Sequence, residues 1–318
     1  MLKMNKLIYT TIILLITTNI HSLEKIKLSL DWVPQAEHGG FFQAIANDYY
    51  KEVGLEVEII PGGPQVNTKA MLMSGQVDFN IGGSAGALNY VKQDLPFTVV
   101  AAFFQKNPQI LMSHPNQNID DPSQFKGKTI FISNFGRMSF WPFIKSQYDL
   151  SDDFLKNYNF NSQPFIEDKQ SIQQGYLSSE PFAIKKTAGF SPVIHLLADH
   201  GYDAYANTIE TSLSIIENNP KIVKSFIDAS RKGWVSFLNE DPSSAFQLIK
   251  KLNPDMPDDK LVYARDMLIS FNIVAIEGTK IGSMSNERWE NFYKKSKKLG
   301  IYDQEIDYKK AYTLDFSN

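Results

Sequence analysis

The chain has 318 residues, with 32 basic side chains against 35 acidic ones and no cysteine. A chain without cysteine has no disulfides, no thiolate metal sites and no lipid anchor at a cleavage-point cysteine. The weak, scattered negative charge contains no basic block, which argues against nucleic acid, and the length exceeds one compact core, so two lobes are expected.

The first 22 residues read as an address rather than as part of the fold. Lys3 and Lys6 precede the apolar run Leu7 to Thr18, and the small residue Ser22 would leave Leu23 as the new N-terminus. A run of about a dozen apolar residues suits a secretory signal and is short for a membrane span. An uncleaved anchor is the alternative. Without this segment, which carries two lysines and no acids, 30 basic residues face 35 acidic ones.

A strand is predicted over Lys25 to Leu30 (KIKLSL), running into the turn chemistry of Asp31-Trp32-Val33-Pro34. A helix follows over Gly40 to Glu52, closed by Gly54, and then a strand over Leu55 to Ile60 ending at Pro61-Gly62-Gly63-Pro64. Next come a helix from Gln65 to Ser74, a strand from Val77 to Ile81, the break Gly82-Gly83-Ser84 and a helix from Ala85 to Gln93. This alternation reads as a parallel sheet with crossover helices, whose ligands bind beyond the carboxyl ends of the strands. Strands Phe97 to Phe103 and Gln109 to Ser113 lead to the polar turn Asp120 to Lys128, the strand Thr129 to Ser133 and the break Asn134-Phe135-Gly136-Arg137. A further βαβ set is expected between Phe160 and His195. Long amphipathic helices then follow: Pro220 to Leu238, Pro242 to Leu252, Asp258 to Ser270 and Asn286 to Leu299.

Trp32 just past a strand end, with His38 and Gly39-Gly40 ahead of the next helix, offers a stacking face beside a titratable donor or acceptor, as a planar heterocycle needs. The same residues also read as a core tryptophan and a surface histidine. The five histidines include no pair spaced for a metal on one helix face, and neither a G-x-S-x-G elbow nor a Walker loop is present. The aromatic content (22 Phe, 14 Tyr, 4 Trp) exceeds what a core of this size must have. Phe104, Trp141, Tyr176 and Tyr202 are therefore candidate cleft walls, although any one such residue is more often core.

Four pieces carry a family resemblance: Leu30-Asp31-Trp32-Val33-Pro34, Gly75-Gln76-Val77-Asp78-Phe79, Phe125-Lys126-Gly127-Lys128-Thr129-Ile130, and Ser179-Glu180-Pro181 after Gln174-Gly175-Tyr176. In order and spacing the chain resembles the thiamine-pyrimidine-synthesis-like family of type II periplasmic binding proteins. That family also takes in binding proteins for sulfonates, taurine and nitrate. The resemblance implies a two-lobed α/β fold with the ligand cleft between the lobes. Residues 1–22 would be the signal peptide, 23–112 and 210–318 the first lobe, and 113–209 the second. It implies an exported, periplasmic and monomeric substrate-binding component of an ABC importer, delivering a small solute to a permease in the inner membrane.

By the same resemblance Glu180 faces the cleft, where a carboxylate accepts hydrogen bonds from an aminopyrimidine. The 134–137 segment looks like the phosphate loop of the family's eukaryotic synthases, with Phe135, Arg137 and free amides around an anion. Asp31, Trp32, His38 and Ser84 complete the expected site. The synthases consume a lysine-bound cofactor and a histidine four residues on; those positions fall here at Gly82 and Gly86, and their cysteine-rich motif is missing. A synthase-like enzyme is therefore the lesser expectation, and no cofactor or metal is expected. The leading ligand class is a thiamine-precursor-like aminopyrimidine, with a small sulfonate-like anion or a flavin-like heterocycle as alternatives.

Overall fold

The computed structural model describes residues 22–63, 65–302 and 304–318. The signal sequence read from residues 1–22 lies, except for Ser22, outside the described residues.

The first half of the chain runs β1 (Glu24–Ser29), α1 (Gly39–Ala46), α2 (Tyr49–Glu52), β2 (Leu55–Ile60), α3 (Thr68–Met73), β3 (Phe79–Gly83), α4 (Ser84–Lys92), β4 (Phe97–Phe104) and β5 (Gln109–Ser113). It continues through β6 (Ile130–Ile132), α5 (Asn134–Met138), α6 (Trp141–Tyr148), β7 (Leu155–Asn157), α7 (Gln163–Glu167), β8 (Ile172–Tyr176), α8 (Glu180–Ala188) and β9 (Val193–Leu196). The last part holds β10 (Ala206–Ser212), α9 (Leu213–Asn218), α10 (Pro220–Asn239), α11 (Ser243–Leu252), α12 (Asp258–Ser270) and α13 (Asn286–Lys298).

Two five-stranded sheets form, ordered β2-β1-β3-β10-β4 and β7-β6-β8-β5-β9. In the first, β1 pairs in parallel with β2 and β3, while β10 runs antiparallel between β3 and β4. In the second, β6 pairs in parallel with β7 and β8, and β5 runs antiparallel between β8 and β9. Each sheet thus receives one antiparallel strand beside its edge, supplied where the chain passes from one lobe to the other. The expected change of lobe after Met112 falls inside β5, whose ladder is wholly in the second sheet. Likewise the change after Ile209 falls inside β10, which lies wholly in the first.

Local sequence explains much of this. The alternation LEVEII makes β2, with Glu56 and Glu58 exposed. The apolar run FTVVAAFF makes β4, all eight of whose residues are buried although it ends the strand order. Isolated bridges from Tyr312 and Gly282 lie along it and cover that edge. The helix expected from Gly40 to Glu52 is broken, because Asp48 takes a left-handed conformation (φ 56°) between α1 and α2.

The first lobe's core centres on the fully buried Trp234, which stacks on Phe103 and meets Phe41 and Phe104 edge-on. Truncating such a ring costs about 3–5 kcal/mol. Here α1 and α10 approach so closely that a Cβ on Gly233 would sit 2.1 Å from the Gly40 carbonyl oxygen. Although it follows the first lobe's helices in sequence, α13 also serves the second: Phe292 stacks on Phe143 of α6 at 5.5 Å.

Candidate functional site

The carboxyl ends of β1 and β8 face one another across the seam between the lobes. The segment after β1 is pinned to the end of β2, where the Gly62 N–H donates to the Trp32 carbonyl at 3.1 Å. A Cβ on Gly62 would sit 2.2 Å from the Leu30 oxygen, so only glycine allows this approach. The indole of Trp32 is left 39% exposed. His38 is buried and spends both ring nitrogens locally: Nδ1 accepts the Gln35 N–H, and Nε2 lies 3.0 Å from Asp31 Oδ1. It therefore holds Asp31 in place.

Across the seam, Glu180 opens α8. Its Oε2 accepts the Tyr176 N–H at 2.7 Å and its Oε1 accepts the Tyr158 hydroxyl at 3.2 Å. Burial pushes the Glu180 carboxyl up, and these bonds together with the Lys260 charge pull it back. Tyr176 lies in the field of Asp31 and Glu37 from one lobe and Glu180 from the other. Burial first, and these charges after it, push its hydroxyl well above the usual tyrosine range, so it stays a proton donor. Asp31 and His38 of one lobe and Tyr176 and Glu180 of the other thus lie along the same seam, with Trp32 next to Asp31.

Sequence reasoning missed three residues here. Glu37 is buried, and its Oε1 accepts the hydroxyl of Ser178 from the opposite lobe. Asn207, also buried, donates from Nδ2 to the Glu37 carbonyl at 2.8 Å. Glu37 had a weak signal, a carboxylate beside His38 in a strand-to-helix segment. Ser178 and Asn207 had none. The seam is tied further by α12, whose Lys260 donates to Ser179 Oγ at 3.2 Å and whose Tyr263 hydroxyl lies 3.4 Å from the Leu177 oxygen.

The other expected residues are taken up by contacts of their own. Phe104 packs on Trp234 in the first core. Trp141 is buried in the second core and donates from Nε1 to Asp152 at 2.7 Å. Tyr202 is enclosed by Phe140, Phe143 and Phe292. In each case the apolar bulk of the ring is buried in a hydrophobic core. Ser84 is spent on the backbone of Tyr205, accepting its N–H at 2.9 Å. Phe135 is 71% exposed.

In the 134–137 segment the Gly136 amide donates to Ser133 Oγ and the Ser133 amide to Gln174 Oε1, so both are already satisfied. Arg137 is half-buried, its Nε has no partner, and its charge is felt by Asp152.

Of the positions matching the synthases' lysine and histidine, the first is closed and the second is bordered by a flexible lysine tip. A Cβ on Gly82 would sit 1.9 Å from Glu210 Oε1, and one on Gly86 would sit 3.0 Å from Lys69 Nζ. Glu210 is fully buried, and its Oε2 accepts from Asn80 at 2.8 Å and Tyr90 at 2.6 Å. Burial pushes its carboxyl up. The backbone at Gly82 is thus covered by a carboxylate, where a lysine would need room.

Two surface depressions, of about 360 and 460 Å³, lie elsewhere, one around Tyr308 and Tyr312 and one around Tyr49 and Arg231. Neither includes a residue of the seam. Among the described residues no group of His, Cys, Asp and Glu is placed to hold a metal ion, and no helix is long and apolar enough to cross a membrane.

Residues 35–245 match the family described as NMT1/THI5 like. The chain belongs to the NMT1/THI5-like family. Among its relatives is the riboflavin-binding protein RibY of Chloroflexus aurantiacus, 23% identical over 308 residues, covering 93% of this chain and 86% of that protein. A formylaminopyrimidine-binding protein of Halalkalibacterium halodurans is 21% identical over 240 residues, covering 72% of this chain and 70% of that one. In structure the chain is similar to the periplasmic aliphatic sulphonate binding protein SsuA of Escherichia coli. The TM-score is 0.67 at 10% identity, with 91% of this chain and 92% of that one covered. The fold is that of the periplasmic binding proteins.

Proposed function

We propose that this member of the family is the solute-binding component of an ABC import system, and that its solute is a nitrogen heterocycle held in the seam between the two lobes. One observation carries the reading. An indole face (Trp32) stands next to Asp31, and carboxylates from both lobes come to the same seam: Glu37, which accepts from Ser178, and Glu180, which accepts the Tyr176 N–H. Such a site offers stacking and hydrogen-bond acceptors, which suit a ring bearing N–H groups and repel an anion. An aminopyrimidine is the leading solute, in keeping with the formylaminopyrimidine-binding relative. A flavin-like ring is the second reading, favoured by the longer match to the riboflavin-binding relative.

The rest of the proposal follows from the two-lobed architecture. The lobes would close over the solute, stabilised by its higher affinity for the shut form, and the closed shape would be presented to a membrane permease. Export would be directed by residues 1–22 and the protein would act as a monomer in the periplasm. An enzyme of the pyrimidine-synthase kind is disfavoured by Gly82 and Gly86, which offer no side chain for a lysine-bound cofactor.

A thermal-shift screen with an aminopyrimidine, riboflavin, taurine and an alkanesulfonate tests the reading, because a ligand bound only to the native state raises Tm by mass action. A heterocycle should raise Tm and change Trp32 fluorescence. Stabilisation by taurine or the alkanesulfonate alone would replace the heterocycle with an anion. Incubation with pyridoxal phosphate should give no imine absorbance, and its appearance would revive the enzyme.

A further inference from the structure

Glu37 differs from every other carboxylate at the seam in how its oxygens are used. The residue is 3% exposed. One oxygen accepts the Ser178 hydroxyl across the lobes, while the other, Oε2, is buried and has no hydrogen-bond partner. A buried carboxylate oxygen left unpaired is costly, and a polar group is kept in that condition where something else completes it. Beside it, Asn207 repeats the pattern: Nδ2 is spent on the Glu37 carbonyl, and Oδ1 is buried without a partner. Asn207 is also held in the left-handed region (φ 46°), at the point where the β10 ladder shifts register. A non-glycine residue kept there costs energy, and such strain clusters at ligand clamps. Both unpaired atoms are acceptors, so the group that satisfies them must donate.

We propose that Glu37 is a solute-binding residue that couples recognition to closure. Its Ser178-bound oxygen ties the lobes together, and its other oxygen accepts an N–H or O–H from the solute, with Asn207 Oδ1 as a neighbouring acceptor. The site therefore selects heterocycles that present a hydrogen-bond donor at this edge. The proposal rests on the reading that the seam binds a nitrogen heterocycle.

The test compares probes that differ only in the donor. Calorimetry on the protein measures an aminopyrimidine against the isostere in which a methyl group replaces the amino group, and riboflavin against its imide N-methyl derivative. For whichever pair binds, the donor-bearing member should bind about tenfold tighter or more, the scale of a hydrogen bond to a charged group. In Glu37→Leu that preference should collapse to within about twofold. In Ser178→Ala the preference should remain while both members weaken alike, because Ser178 acts on closure and not on the solute. Equal binding of both members by the wild type, with water serving the carboxylate, overturns the proposal and leaves the heterocycle reading intact. So does an undiminished preference in Glu37→Leu. Binding of neither pair removes the heterocycle reading, and this proposal with it. The wild-type comparison decides even if the leucine variant fails to fold.

Discussion

The segment after β1 and the turn after β8 occupy equivalent places in the two lobes, each joining the carboxyl end of a parallel strand to a helix. They use their carboxylates differently. Glu180 gives both oxygens to its own lobe, taking the Tyr176 N–H and the Tyr158 hydroxyl, and so fixes the shape of the turn. Glu37 gives one oxygen to the opposite lobe and keeps the other free. At the turn after β8 both oxygens of Glu180 are satisfied, whereas the segment after β1 carries an unspent acceptor on Glu37. In a two-lobed binder this division separates shape from selection.

The strands behind the two walls should also differ in tolerance, Gly82 in β3 and Gly175 in β8. A Cβ on Gly82 would meet the buried Glu210 carboxylate at 1.9 Å, and Glu210 is held by Asn80 and Tyr90, so it has little freedom to give way. A Cβ on Gly175 would meet the tip of Met112 at 2.8 Å and Glu180 Cβ at 3.0 Å, and a methionine end moves cheaply. Gly82→Ala should therefore cost about 3 kcal/mol, at the upper end for overpacking, and Gly175→Ala about 1 kcal/mol. Urea unfolding of the two variants measures the difference. Equal losses would show that the two walls are equally rigid and would break the contrast.

Affinity gives the next largest effect. Trp32→Ala should lose roughly 1–3 kcal/mol of binding to a heterocycle, the range for bases stacked on aromatic side chains. Its stability should change little, because the indole is 39% exposed. Glu180→Gln should lower both affinity and Tm, because it loosens the turn that carries Tyr176. Trp32 and Glu180 come from opposite lobes to one seam, so the two losses should not add, and a double-mutant cycle should show coupling. Additive losses would mean that the lobes do not act on one molecule.

The sequence alone placed the regular elements well wherever local pattern decides them. The strands Leu55–Ile60 and Gln109–Ser113 and the helix Asp258–Ser270 stand at the bounds their patterns predict. The partner sheet of β5 was not legible, because ladder choice depends on contacts far along the chain. For the candidate site, the Asp31 to His38 segment and the Tyr176 to Glu180 turn stood out through their motifs, and both lie along the seam. Aromatic content did not separate cleft from core: Phe104, Trp141 and Tyr202 are buried in the hydrophobic cores, a distinction that only packing makes. Glu37 stayed anonymous for the same physical reason. Its meaning depends on Ser178, 141 positions away, and on an unpaired oxygen that no pattern encodes.

The smallest effect is expected at Arg137, where the two ligand classes separate most cleanly. An anion-binding loop needs free amides beside its guanidinium. Here the Gly136 and Ser133 amides are taken by Ser133 Oγ and Gln174 Oε1. The Arg137 charge falls on Asp152, which already accepts from Lys145 at 2.6 Å and from Trp141 at 2.7 Å. Removing the guanidinium should thus leave Asp152 well partnered and the seam's acceptors untouched. Arg137→Ala should change affinity for a heterocycle by no more than about 0.5 kcal/mol, the scale of a substitution away from the site. If the solute were an anion held by this loop, the loss would instead reach about 1.5–3 kcal/mol, as for hydrogen bonds to charged groups. Calorimetry of this one variant, with whichever probe binds the wild type, reads the difference directly. A loss in the larger range would move recognition to the second lobe's wall and reverse the division between shape and selection.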